Sequence, residues 1–280
     1  MFKSRNPIGQ IIIILFILFL PLQIVAAGEQ ADSDVYMAAI DSHPSQPGSK
    51  GPEGLEPEPP STFSIGWDVT LASKYLFQGI DYSDGKPVVQ PEVILTVKDF
   101  SAIIWFNHNL DTGKSNEFDL YLQYDLERED FTLTTGYAHY NYPHRKDWDP
   151  NEEVFVEWEP SQEVFMNISY NVPFNPSLNV HYDFDAGKGT YYTLGFNHNL
   201  ETSVGNLSLG TNLFYQDNYY ENSGFPSIEV NGSYEYNISS FTITPSISYF
   251  FTRKNGDFPE NCGCDVSDTW LFSINIGQSF

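Results

Sequence analysis

Acidic residues recur at alternate positions in several short segments of this sequence. Eight of them share one predicted face: Asp68, Glu92, Glu117, Asp119, Asp125, Asp183, Glu229 and Glu235. Alternate residues of a β-strand point to the same side, so strands through these segments would present their carboxylates together. Carboxylates that line a water-filled passage concentrate cations and repel anions. The chemistry indicated by these residues is therefore cation attraction along a lined passage.

Basic residues are nearly absent from the same predicted face. Lys74 is the only base that the alternation places there. One base cannot neutralise eight acids, and a carboxylate in a dry interior is either disfavoured or protonated. The pattern therefore favours a hydrated interior. The alternative is a packed, purely structural interior, which Trp105, Tyr121 and Phe214 would favour because the alternation turns them inward as well.

The elements that carry these residues are predicted to be the strands of an all-β transmembrane barrel. Charged residues occupy one face and apolar residues the other, as expected where a charge facing lipid costs about 2–4 kcal/mol at mid-membrane. An even strand number would return both chain ends to the same side. The predicted strands are twelve: 63–79, 87–98, 100–110, 116–127, 130–142, 162–172, 177–185, 189–200, 205–216, 226–238, 240–252 and 268–280.

The connections between these strands form two classes. Brief turns such as 98–100 are expected in the periplasm, and longer charged loops such as 143–161 and 253–267 outside the cell. Residues 153–158 also alternate and could form a thirteenth strand. An odd number is unusual in a bacterial single-chain barrel, so we interpret them as part of an external hairpin.

The residues before the barrel form two segments of different composition. Residues 1–27 carry Lys3 and Arg5 before an apolar run, which predicts a signal peptide. Residues 28–62 hold six prolines, seven acids and one base, which is typical of a disordered arm, expected in the periplasm. Without residues 1–27 the formal charge is −26, which excludes nucleic acid as a partner.

Several motifs of the barrel segment resemble the TorF-type putative porins, a family of small proteobacterial outer-membrane barrels. The resemblance rests on residues 73–83 and 86–91, on 117–121 and 136–143, and on the terminal Ser279-Phe280. It implies an outer-membrane β-barrel, a porin function and recognition of Phe280 by the barrel assembly machinery. Gln78 stands where that family usually has Arg in a Phe-Arg-Gly-Ile motif, so a charge of the family is missing here.

No catalytic, metal or cofactor site is predicted. A lipase on the outer wall would need a lipid-facing Ser beside a lipid-facing His, whereas strand serines such as Ser233 and Ser246 are predicted to face inward. Cys262 and Cys264 are too few ligands for zinc. The prediction is a porin with outer-membrane lipid and small solutes or cations as partners. The alternative is a non-conducting barrel that serves in surface interaction or structure.

Overall fold

Twelve long antiparallel strands make up most of the described chain. The computed structural model describes residues 63–143, 146–149, 154–252 and 267–280, so the predicted signal peptide and arm, and both cysteines, lie outside the described residues. The strands are β1 Phe63–Ala72, β2 Val88–Val97, β3 Phe100–Asn109, β4 Lys114–Glu127, β5 Phe131–Asn141, β6 Ser161–Tyr170, β7 Ser177–Asp183, β8 Gly189–Thr202, β9 Gly205–Tyr219, β10 Ser227–Ile238, β11 Phe241–Thr252 and β12 Thr269–Ser279.

The sheet closes on itself. Each strand pairs with the next along the chain, and β12 pairs with β1, where Ala72 lies opposite Ser273. Phe280 extends this seam, since its backbone N–H donates to the carbonyl of Ile65 at 2.8 Å. Closure leaves no sheet edge with unpaired backbone groups. The predicted twelve-stranded antiparallel barrel is confirmed.

The two faces of the barrel wall differ in exposure. In β4, Tyr121 is 7% exposed and its neighbour Leu122 is 49% exposed. The alternation continues in β12, where Phe272, Ile274 and Ile276 are exposed. Large apolar residues therefore cover the outer face, as a lipid environment requires. The polar residues at the alternate positions face the interior.

The two ends of the barrel also differ. We call the end that holds both chain termini of the barrel the turn end; its connections are residues 98–99, 128–130, 171–176, 203–204 and 239–240. We call the opposite end the loop end; its connections are residues 73–87, 110–113, 142–160, 184–188, 220–226 and 253–268. The predicted division into two classes is present but not strict, because 110–113 is a short connection at the loop end.

Residues near 153–158 do not belong to the barrel wall. Lys146–Asp149 pairs with Val154–Glu157 in a separate two-stranded sheet. The interpretation of this segment as a hairpin outside the barrel is confirmed.

The first predicted strand is too long. β1 ends at Ala72 instead of residue 79, and residues 73–87, which we call the inner hairpin, turn back: Leu76–Phe77 pairs with Ile80–Asp81. The two residues at its tip, Gln78 and Gly79, both have positive φ, at 51° and 84°. Two consecutive positive φ angles define a type I′ turn, the favoured two-residue connection of a hairpin. Of the predicted strand residues 73–79, only Leu76–Phe77 lie in a strand, and their partner is the local Ile80–Asp81.

Gly136 is a glycine at which the barrel wall has no room for a side chain. A Cβ atom there would lie 2.4 Å from the carbonyl oxygen of Leu122 and 2.6 Å from the ring of Phe165. We expect Gly136→Ala to lower the free energy of unfolding by about 1–3 kcal/mol, because the backbone of β4 must shift. Urea unfolding in lipid vesicles measures it. Gly66→Ala is the control, since a Cβ there meets atoms only at 3.7 Å or more; equal effects of both variants would contradict the argument.

Candidate functional site: the barrel interior

The inner face of the wall carries the eight predicted acids, at two levels of exposure. Asp125 and Glu235 are half-exposed near the turn end. Buried nearer the middle or the loop end are Asp68, Glu92, Glu117, Asp119, Asp183 and Glu229. Their placement on a pore that conducts stays a prediction.

Neutral groups hold the two half-exposed acids. Asp125 accepts hydrogen bonds from the Thr134 hydroxyl at 2.6 Å and from Gln123 Nε2 at 3.2 Å. Glu235 accepts one from Asn237 Nδ2 at 3.3 Å. None of these donors is charged, so the contacts fix the direction of the carboxylates without cancelling their charge.

Many inward residues of the turn-end half are polar and half-buried. We call this wall the vestibule; besides Asp125 and Glu235 it includes Thr134, Asn167, Ser169, Asn197, Ser208, Ser233, Thr244 and Asn275. Short side chains with hydroxyl or amide ends leave space in the lumen and bind water readily. The vestibule is therefore the part of the interior suited to hydrated solutes.

Aromatic residues dominate the loop-end half. Buried inward-facing rings there include Trp105, Tyr121, Tyr140, Phe165, Tyr191, Phe214, Tyr219 and Phe250. Large side chains at these positions fill a barrel of this size. The interior thus combines the two alternatives that the sequence left open: a polar vestibule at one end and a packed section at the other.

Sequence reasoning missed Glu163, an acid on β6 in the packed half. It is fully buried, and it accepts hydrogen bonds from the hydroxyls of Tyr140 and Tyr219, both at 2.9 Å. His181 Nδ1 lies 3.1 Å from the same carboxylate. The sequence could have indicated it, because Glu163 is four residues from the inward Asn167 on the same strand and therefore lies on the same face. We call these four residues the Glu163 cluster.

Stacked rings hold His181 in this cluster. Its imidazole lies almost parallel to the rings of Tyr191 and Phe165, with centroids 4.4 Å and 5.2 Å away. Tyr191 also contacts Phe77 of the inner hairpin edge-on, at 5.5 Å. The Glu163 cluster therefore supports the ring against which the hairpin rests.

The tip of the inner hairpin hydrogen-bonds to β9 and β10, which are not neighbours of β1 or β2 in the barrel wall. Gln216 Nε2 on β9 donates to Gln78 Oε1 at 2.7 Å, and the Ser227 hydroxyl on β10 donates to the Gln78 backbone carbonyl at 2.6 Å. β9 and β10 are four and three strands away from β1 around the ring. The hairpin therefore reaches across the interior at the loop end.

Apolar and aromatic contacts secure the first arm of the inner hairpin. Leu76 packs with Phe214 and Phe250. The preceding residue, Tyr75, lies 5.7 Å from the ring of Trp105 and donates its hydroxyl to Glu117 Oε1 at 3.1 Å. These contacts join the hairpin to the packed section, so the hairpin narrows the passage where the aromatic residues already reduce it.

Two tyrosines of the loop-end connections flank Trp158. The ring centroids of Tyr142 and Tyr220 lie 5.3 Å and 6.2 Å from that of Trp158. Burial raises the pKa of Tyr142 and of Tyr220 well above the ordinary value, and the nearby carboxylates, Glu117 for Tyr142 and Asp183 for Tyr220, raise it further. Both phenols therefore stay neutral at physiological pH and add no charge to this end.

One Ser–His pair lies on the outer face, where the sequence predicted none. His108 Nδ1 lies 3.2 Å from Ser115 Oγ because β4 bulges at Asn116 and turns Ser115 outward. Among the described residues, His108 has no carboxylate or amide partner that would orient it as a general base. The pair therefore lacks the third group of a hydrolase triad.

A metal site would need several ligating side chains close together. Within the described ranges no group of three or more His, Cys, Asp or Glu side chains could hold a metal ion.

In the part of the chain that the structure describes, no helix is long and apolar enough to cross a membrane.

A closed antiparallel barrel with an apolar outer face and a polar inner face defines the class of transmembrane β-barrel proteins. Within this class, the chain belongs to the Gcw_chp family, described as a bacterial protein of unknown function, whose family model matches residues 56–251. This match does not confirm the resemblance to TorF-type porins. A search of curated proteins found no match.

Solved structures with a similar fold are outer-membrane barrels. The NanC porin is 12% identical, with 76% of this chain and 98% of that chain covered and a TM-score of 0.50. The COG4313 outer membrane channel from Pseudomonas putida F1 is 9% identical, with 83% and 100% covered and a TM-score of 0.46. At 12% identity the likeness to the NanC porin shows the fold alone.

Proposed function

We propose that this protein is an outer-membrane channel through which ions or small solutes diffuse passively, with a preference for cations. The proposal places the turn end in the periplasm and the loop end outside the cell, because short turns of such barrels are periplasmic. The predicted signal peptide and the short connections at the turn end both support this orientation.

The observation that carries the proposal is the vestibule with its two half-exposed acids. Asp125 and Glu235 have only neutral hydrogen-bond donors among their described contacts. A hydrated wall with uncompensated carboxylates lowers the energy of a cation inside it and raises that of an anion. The vestibule therefore selects by charge.

The packed loop-end half supports a restriction by size. The inner hairpin and the rings of Tyr191 and Phe214 occupy the section through which a solute must pass. A passage lined in this way favours small ions over bulky solutes. We therefore expect a small unitary conductance.

Reversal-potential measurements test the charge preference. In a planar bilayer with a salt gradient, the wild type is expected to prefer cations, and Asp125→Asn/Glu235→Gln to shift the reversal potential towards zero, because both carboxylates are removed from the vestibule. The difference is expected to shrink at high salt, since screening lengths are about 10 Å at 0.1 M and 3 Å at 1 M.

Asp111→Asn/Asp217→Asn is the matched control, since it removes two exposed acids at the loop end, away from the vestibule. We expect it to leave the reversal potential close to that of the wild type. Anion preference in the wild type, or equal shifts in both double variants, would contradict the proposed selectivity.

The second candidate is a non-conducting barrel that serves in surface interaction or structure. The hydrogen bonds of Gln78 to Gln216 and Ser227 favour it, because they hold the inner hairpin across the interior. Discrete conductance steps from the purified protein would exclude this candidate, and their absence in every variant would support it.

Membrane assembly is part of the proposal. Phe280 is the last residue of the chain and is exposed beside the β1–β12 seam. Its recognition by the barrel assembly machinery, and a periplasmic position of residues 28–62, stay predictions.

A further inference from the structure

The tip of the inner hairpin is docked on β9 and β10 by few contacts. Its polar contacts are the two hydrogen bonds of Gln78 with Gln216 and Ser227, at 2.7 Å and 2.6 Å. Gly79 lies against Ser227 so closely that a Cβ atom on Gly79 would be 2.8 Å from the Ser227 Cβ. All of these residues are buried or in direct van der Waals contact, so the docking is specific to this register of the hairpin.

The docked state also contains unfavourable features. Gln78 Nε2 and Gln216 Oε1 are buried, and neither has a hydrogen-bond partner in the described protein. A buried polar group without a partner opposes the state that buries it. Each of the two side-chain amides therefore has one buried polar atom without a hydrogen bond.

The hairpin has the connections that a hinged element needs. It is attached to the wall through the ends of β1 and β2, at Ala72 and Val88, and its own strand pair, Leu76–Phe77 with Ile80–Asp81, is internal to it. Asp81 also accepts the backbone N–H groups of Ser83 and Gly85, both at 2.9 Å, which stabilises the return arm locally. Release of the tip would therefore leave the hairpin and the barrel wall intact.

We propose that the inner hairpin is the gate of this channel, latched in the closed position by the contacts of Gln78 and Gly79 with Gln216 and Ser227. This proposal rests on the channel function proposed above. When the tip leaves Gln216 and Ser227, the two unpaired amide groups can bind water. Opening thus exchanges two hydrogen bonds and apolar packing for hydration of these buried groups, which lowers the cost of the open state.

A reversible cross-link tests the closed state. In a Cys262→Ser/Cys264→Ser background, Gly79→Cys/Ser227→Cys would place two thiols on neighbouring Cβ positions, which start at 2.8 Å and must separate slightly to reach the roughly 3.5–4.5 Å of a disulfide. Oxidation is expected to lower the open probability by about tenfold, as expected when one state becomes almost fully populated. Reduction is expected to restore it.

Removal of the latch tests the open state. Gln216→Ala/Ser227→Ala is expected to raise the open probability, and Gln162→Ala, which alters a glutamine on the outer face, to leave it unchanged. A labelling assay reads the same motion without current: Gln78→Cys in the Cys262→Ser/Cys264→Ser background should react slowly with a membrane-impermeant maleimide, and faster when Ser227→Ala is added, because the Ser227 hydroxyl donates to the backbone carbonyl of residue 78.

The outcomes separate this proposal from the channel function. A wild type that conducts, with a disulfide that forms and leaves the current unchanged, would overturn the gate and leave the channel standing. Faster labelling at position 78 in the unlatched protein, with no current in any variant, would overturn the channel function and with it the gate, while the docking itself would be shown to be reversible. Equal labelling with and without Ser227→Ala would overturn the latch directly.

Discussion

Leu122→Arg is expected to impair assembly of the barrel, whereas Gln123→Arg is expected to be tolerated. Leu122 lies on the outer face of β4 and is 49% exposed, so an Arg there would face lipid and cost about 2–4 kcal/mol at mid-membrane. Gln123 faces the vestibule, where its Nε2 lies 3.2 Å from Asp125. An Arg at position 123 would remain in water beside a carboxylate.

Heat-modifiable mobility in gel electrophoresis measures this difference, because a folded barrel migrates differently from the unfolded chain. The two substitutions introduce the same residue at adjacent positions, so each is the control for the other. Equal assembly of both variants would mean that the assignment of faces in β4 is incorrect.

Loss of the Glu163 carboxylate is expected to destabilise the barrel strongly. Glu163→Ala removes the acceptor used by the hydroxyls of Tyr140 and Tyr219 and the partner of His181. A buried polar group that loses its partner costs about 1–3 kcal/mol, and more when the bond involves a charge. Three such groups lose a partner, so we expect the free energy of unfolding to fall by about 3 kcal/mol or more.

Urea unfolding in lipid vesicles measures this loss. Glu163→Gln is expected to cost less, because the amide oxygen still accepts one hydroxyl. Gln162→Ala, one residue away on the outer face, is expected to cost about 1 kcal/mol or less, since its hydrogen bonds to Tyr137 and Asp185 are less buried. A Glu163→Ala variant as stable as Gln162→Ala would refute a structural role for the Glu163 cluster.

The strand pattern could be read from the sequence because the membrane makes the alternation strict. In β4 the predicted range 116–127 and the observed Lys114–Glu127 differ by two residues at one end. Every misplaced charge would cost several kcal/mol in lipid, so parity alone separates the two faces. The same rule would have included Glu163, had the pattern of β6 been followed to its first residues.

The inner hairpin could not be predicted in the same way. The predicted first strand runs on to residue 79, because the turn at Gln78 and Gly79 lacks the Asn-Gly or Asp-Gly sequence that marks a type I′ turn. The contacts that decide its position come from far along the chain, since Gln216 is 138 residues away from Gln78. Ser115 was missed for a related reason, because one bulge at Asn116 reverses the parity of the residues before it.

The sequence by itself determined the class of fold, the number of strands and the acidic character of the inner face, because these depend on the local alternation that a lipid-facing wall imposes. Only the tertiary structure decided how the interior is divided between the vestibule and the packed aromatic section. Closure of the ring brings β8, β9 and β10 within reach of the inner hairpin. Contacts across a closed barrel depend on side chains that no local pattern brings together.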